Sequence, residues 1–119
     1  MKTTHIFAAT SLSLALLSSV AIAEAVKKGH DLFMTACSGC HGHEAEGKLG
    51  PGLADDYWTY PANATDKGLF ELLFGGANGM MGPQYVNLNT DEMLLIMAWI
   101  RDIYKGDPKK AKWSTIPKQ

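Results

Sequence analysis

The chain has 119 residues, with 11 basic and 12 acidic side chains, a formal charge of −1 and two cysteines. That length bounds the answer to one small domain. The near-neutral charge offers no broad basic surface for nucleic acid, and two cysteines exclude a zinc site built from four.

The charge is unevenly spread. Nine acids stand against two bases between Asp31 and Glu92, whereas Arg101 to Gln119 holds six bases against two acids. This polarity predicts association through charge complementarity that weakens with salt. The plainer reading is a solvated acidic surface kept for solubility.

Residues 1–23 read as a cleaved secretory signal peptide and residues 24–119 as a single domain. Lys2 supplies a positive start, Ile6 to Val20 is apolar or small without a charge, and Ala21-Ile22-Ala23 is a small-x-small cleavage site. An uncleaved anchor is the alternative, because the apolar run approaches a spanning length. After cleavage no membrane span is expected. The remaining domain is small enough to need a staple for its core.

Ala25 to Ala36 is predicted as a first helix, with Val26, Gly29, Phe33 and Ala36 on one face. Gly29 on that face allows another helix to approach closely.

Cys37-Ser38-Gly39-Cys40-His41 follows directly. Two thiols two residues apart with a histidine after the second form the attachment signature of haem c. The cysteines add to the porphyrin vinyl groups and the histidine becomes the proximal iron ligand. A redox dithiol, or a zinc site of the two cysteines and two histidines in which His43 joins His41 or His30, is the competing reading.

The next stretch, 42–53, is too rich in glycine for regular structure. Its Pro51 carbonyl is assigned as the acceptor for Nδ1–H of His41, since a ligating histidine usually donates its other nitrogen. His30 and His43 are expected on the surface.

Tyr57-Trp58-Thr59-Tyr60-Pro61 is an aromatic cluster in a loop. Trp58 suits either packing on a haem edge with a hydrogen bond to a propionate, or plain core packing. Thr65 caps a helix over Asp66 to Phe74, with Leu69, Leu72 and Leu73 inward and Gly75-Gly76 stopping it.

Ala77-Asn78-Gly79-Met80-Met81-Gly82-Pro83 then places two methionines in a glycine-rich loop. A thioether stabilises reduced iron and raises its potential, as a one-electron carrier requires. Met81 is taken as the distal ligand because it directly precedes the Gly-Pro turn, with Met80 as the alternative.

The last helix is capped by Asn89 or Thr90. It carries Asp91 and Glu92 in its first turn and buries Met93, Ile96, Met97, Ile100 and Ile103, with Gly106 and Pro108 ending it. Trp99 or Tyr104 is expected to meet Gly29 and Phe33. Lys109 to Gln119 reads as a surface strap anchored by Trp113.

The order helix, CSGCH, Gly-Pro-x-Leu, short helix, methionine loop and C-terminal helix resembles the class I cytochromes c over the whole of residues 24–119. The segments DDYWTYPANATDKGLFELLFGGANGMMGP and DEMLLIMAWIRDIYKGDPKKAKW are similar to the cytochromes c that accept electrons from quinoprotein alcohol dehydrogenases: the cytochrome cL group and the related cytochrome c550.

The resemblance implies an all-α fold, with three to four helices and loops wrapped around one covalent haem c. It matches Cys37 and Cys40 to the thioether positions, and His41 and Met81 to the axial ones. It further implies a monomeric periplasmic electron carrier rather than an enzyme, with methanol or ethanol as the alcohol oxidised upstream. Its donor would be a dehydrogenase carrying pyrroloquinoline quinone (PQQ), and its acceptor a downstream cytochrome or terminal oxidase. A general class I carrier for another dehydrogenase or oxidase, a haem subunit of a larger redox complex, and a haem enzyme or gas sensor with a displaceable methionine are the other readings. The chain is shorter than cytochrome cL before its first helix.

Overall fold

In the computed structural model, the backbone is described for residues 4–113 and side chains for residues 18–113. The positive start at Lys2 and the strap end at 114–119 lie outside the described residues. Four α-helices follow in chain order: α1 Thr4–Ala36, α2 Ser38–His41, α3 Asp66–Gly75 and α4 Thr90–Asp102. Short 3₁₀ turns at Pro61–Ala64, Gln84–Val86 and Pro108–Lys110 join them. Among the described residues there is no strand, only an isolated bridge between Thr65 and Lys112.

The first helix is longer than the expected Ala25–Ala36. No glycine or proline occurs between Thr4 and Lys28, so nothing in the leucine- and alanine-rich leader interrupts helical propagation into the domain. No described helix is long and apolar enough to cross a membrane.

The C-terminal half of α1 crosses α4, and Gly29 lies at the crossing. A Cβ on Gly29 would stand 1.9 Å from the Leu95 carbonyl oxygen and 3.2 Å from Trp99 Cβ, so only glycine permits this approach. Trp99 fills the space beside it, tilted on Phe33 at 4.6 Å and stacked on His30 at 4.8 Å. His30 is therefore half-buried against an indole, a correction to its expected surface position. Trp99 turned its flat face into the crossing and took the imidazole with it. His43 is exposed.

Phe33, Met93 and Ile96 are fully buried, and Leu69, Leu73, Leu88, Met97 and Ile100 complete the core with them. Burying each large apolar side chain contributes about 1.5–3 kcal/mol.

The caps explain the helix boundaries. In α4, Asn89 accepts from the Glu92 N–H at 2.8 Å while Glu92 accepts from the Asn89 N–H at 3.0 Å, a reciprocal capping box. In α3, Thr65 Oγ1 accepts from the Gly68 N–H at 3.1 Å. The last helix ends at Asp102, short of the expected Gly106 stop, and Ile103 packs on the core from just beyond it.

Candidate haem site

The cysteine pair begins where α1 ends. The Cys37 N–H still donates to the Phe33 carbonyl at 2.8 Å, and the Cys37 carbonyl accepts from Cys40 at 3.2 Å and His41 at 3.0 Å. One helical turn therefore sets Cys37, Cys40 and His41 at three- and four-residue spacing, on one side of the backbone. Ser38 is buried between the cysteines and donates its hydroxyl to the Met34 carbonyl at 2.5 Å, tying the turn back to α1.

Cys37 and Cys40 are not joined in a disulfide. Burial, reinforced by the neighbouring Cys40, pushes the Cys37 thiol up to about 11; Cys40 is exposed. Among the described residues no group of three His, Cys, Asp or Glu side chains converges as a metal site, so neither His30, His43 nor another residue supplies the further ligands that the zinc reading requires.

The loop after His41 folds back over the motif. The Cys40 carbonyl accepts from Gly50 N–H at 2.8 Å and the His41 carbonyl from Gly47 N–H at 2.7 Å. These bonds bring Pro51 beside the imidazole, where its carbonyl lies 2.8 Å from His41 Nδ1. In the tautomer that donates this bond, Nε2 keeps its lone pair for a metal. His41 as a whole is buried, 8% exposed.

Gly50, which sequence reasoning did not single out, is as important as Pro51. A Cβ there would lie 2.7 Å from His41 Cε1 and 2.9 Å from Nδ1. The absence of a side chain at Gly50 lets the loop lie flat on the imidazole. Its signal in the sequence is its place at the head of the Gly-Pro-x-Leu stretch, in a loop of glycines.

The two methionines differ sharply. Met80 is 86% exposed, whereas Met81 is partly buried and packs against the core. The Met81 carbonyl accepts from the Ala77 N–H at 3.0 Å. Gly76, at φ +80°, ends α3 against the same loop: a Cβ there would meet Gly82 C and Pro83 N at 2.8 Å and the Met81 carbonyl oxygen at 2.9 Å.

Trp58 lies parallel to Tyr104 at 6.3 Å and edge-on to Trp113 at 6.2 Å.

The donor set fits a covalent haem. Two free thiols adjoin a fixed imidazole with one nitrogen available, and a thioether is held in a structured loop. Among the described residues, no cluster of Asp and Glu side chains offers the oxygen ligands that harder metals take.

Comparison with protein-family models matches residues 26–103 to the family described as Cytochrome c. Cytochrome c-L of Methylorubrum extorquens is 64% identical over 88 residues, covering 74% of this chain and 45% of that protein. The crystal structure of cytochrome CL from the marine methylotroph Methylophaga aminisulfidivorans superposes with a TM-score of 0.73 at 69% identity, covering 74% of this chain and 59% of that one. Cytochrome cL from Hyphomicrobium denitrificans gives a TM-score of 0.73 at 58% identity, covering 76% and 54%. The chain thus spans about half the length of these relatives. With its helical fold, its CSGCH turn and this match over most of its length, the chain belongs to the cytochrome c family, has the class I fold and carries a covalently bound haem c.

Proposed function

We propose that the protein is an exported one-electron carrier. It takes electrons from a PQQ-dependent alcohol dehydrogenase of the methanol or ethanol type and passes them to a downstream cytochrome or terminal oxidase. The observation that carries this reading is the His41 imidazole, fixed by Pro51 with a single nitrogen left to bind iron. It is joined by a loop that holds Met81 inward while Met80 points to water.

The haem supplies a ferric/ferrous couple that accepts and releases single electrons. The chain's residues do the rest. Cys37 and Cys40 would hold the group through thioether bonds, and His41 Nε2 and the Met81 thioether would bind its iron, which would leave no open position for substrate. The Pro51 carbonyl raises the basicity of the His41 ring by accepting its proton in a hydrogen bond. The thioether of Met81 favours the reduced state. Buried Phe33, Leu69, Leu73, Met93 and Ile96 form a close-packed apolar core, which limits rearrangement of the fold on a change of charge.

Residues 1–23 direct export to the periplasm and are removed after Ala23. The carrier then diffuses as a monomer, and its contacts with donor and acceptor are brief. The likeness to cytochromes named cL supports the dehydrogenase as donor, and the acidic middle of the chain supports a basic docking face on it.

The test is rapid-mixing absorbance of oxidised holoprotein against a quinoprotein methanol or ethanol dehydrogenase from the same cell, with its alcohol, at low and high salt. Fast haem reduction that slows with salt is expected. No reduction by either enzyme, with an intact haem spectrum, would remove the alcohol dehydrogenase from the proposal.

A further inference from the structure

Arg101 is the chain's single arginine among ten lysines, and its side chain is only 6% exposed. Its Nε donates to Asp66 Oδ1 at 3.1 Å, and its Nη2 donates to the Asn63 carbonyl at 2.8 Å and the Thr65 carbonyl at 3.1 Å. All three acceptors lie at the entry to α3. A planar fork reaches three such points at once, which an ammonium cannot do.

The far side of the guanidinium is closed by Trp113, whose ring centre lies 3.9 Å from Cζ. Tyr104 meets Trp113 edge-on at 4.9 Å, and Lys112 bridges to Thr65. The strap therefore shields the clamp from water, where each of its hydrogen bonds would weaken.

The other end of α3 grips the methionine loop. Ala77 N–H donates to the Met81 carbonyl at 3.0 Å, and Gly76 lies against the backbone of Met81, Gly82 and Pro83. A ten-residue helix thus runs as one rod between the Arg101 clamp and the Met81 loop.

We propose that Arg101, sealed by Trp113, is a positioning residue for the Met81 thioether: by fixing the entry of α3 it fixes the loop at the exit of α3. The proposal rests on the reading of Met81 as the iron ligand. It makes the C-terminal strap a latch on distal ligation, in addition to its contribution to stability.

The experiment measures cyanide entry to the oxidised holoprotein, hydrogen exchange at the Ala77 amide and the global unfolding midpoint. The variants are Arg101→Lys, Trp113→Ala, Met81→Ala and, as a stability control remote from the clamp, Asn89→Ala. Arg101→Lys is expected to speed cyanide entry by about tenfold, the effect of losing one charge-assisted hydrogen bond; Trp113→Ala, which removes the ring over the guanidinium, is expected to speed it by less, and both speed Ala77 exchange alongside. Asn89→Ala lowers the unfolding midpoint without either effect. If the clamp variants admit cyanide no faster than Asn89→Ala at matched stability, while Met81→Ala admits it at once, Arg101 is a structural residue only and the proposal fails. Slow entry in Met81→Ala overturns the ligand reading itself, and the positioning role with it. Trp113→Ala keeps the test usable if Arg101→Lys does not fold.

Discussion

The two sides of the proposed haem site, His41 and Met81, are built by different means. His41 is oriented within its own stretch of chain: the acceptor for its ring is ten residues away, and Gly47 and Gly50 bond back to the His41 and Cys40 carbonyls. Met81 hangs in a loop between α3 and α4, and what holds that loop is the placement of α3. Arg101 on α4 sets that placement through partners 35 to 38 residues distant. A ligand organised locally forms with its motif. A ligand organised at a distance forms only when the helices have docked, and it is the side that can open without unfolding the whole molecule.

The largest break in this comparison is His41→Ala. It removes the proximal donor, and the haem spectrum is expected to lose its low-spin form, whereas the far-UV circular dichroism keeps most of its helix signal. Next, Gly50→Ala pushes a methyl group into the imidazole and disrupts the Pro51 hydrogen bond. Losing that bond lowers ring basicity, so potentiometry is expected to show a higher reduction potential with the distal cyanide-entry rate unchanged. A faster entry rate in Gly50→Ala would show that the two sides are not separable.

Gly29→Ala sharpens the comparison from below, since α1 leads into the cysteine turn and α4 carries Arg101. The added methyl group forces the helices apart, and overpacking of this kind costs about 1–3 kcal/mol, read as a lower denaturant midpoint. Both sides should loosen together. The smallest effect belongs to Asn89→Ala, which removes the cap of α4 and costs about 1 kcal/mol, measurable in the same titration.

The proximal side was legible because its chemistry demands contiguity. Two thioethers and a ligand on one helical turn leave only one spacing, and Pro51 lies in the adjoining loop, so motif and short-range reasoning reach it. The close approach at Gly29 was legible too, since a glycine on an apolar helix face has few other uses. The long reach of α1 back to Thr4 was not, because a leader reads as a separate segment although its composition favours helix. His30 was misplaced for a related reason: one polar residue on a helix reads as exposed unless its aromatic partner, 69 positions later in the chain, is known to arrive. Arg101 escaped because two of its three partners are backbone carbonyls, which no sequence pattern marks, and the third, Asp66, lies 35 residues away in the chain. Its one trace was being arginine in a chain that otherwise uses lysine.

The most direct test of the account is the reduction potential of the holoprotein beside its Met81→Ala and Met80→Ala variants. A lower potential in Met81→Ala, with Met80→Ala at the wild-type value, is the predicted result, because only the inward thioether stabilises the reduced iron. A fall in Met80→Ala with Met81→Ala unchanged, or no change in either, would contradict it.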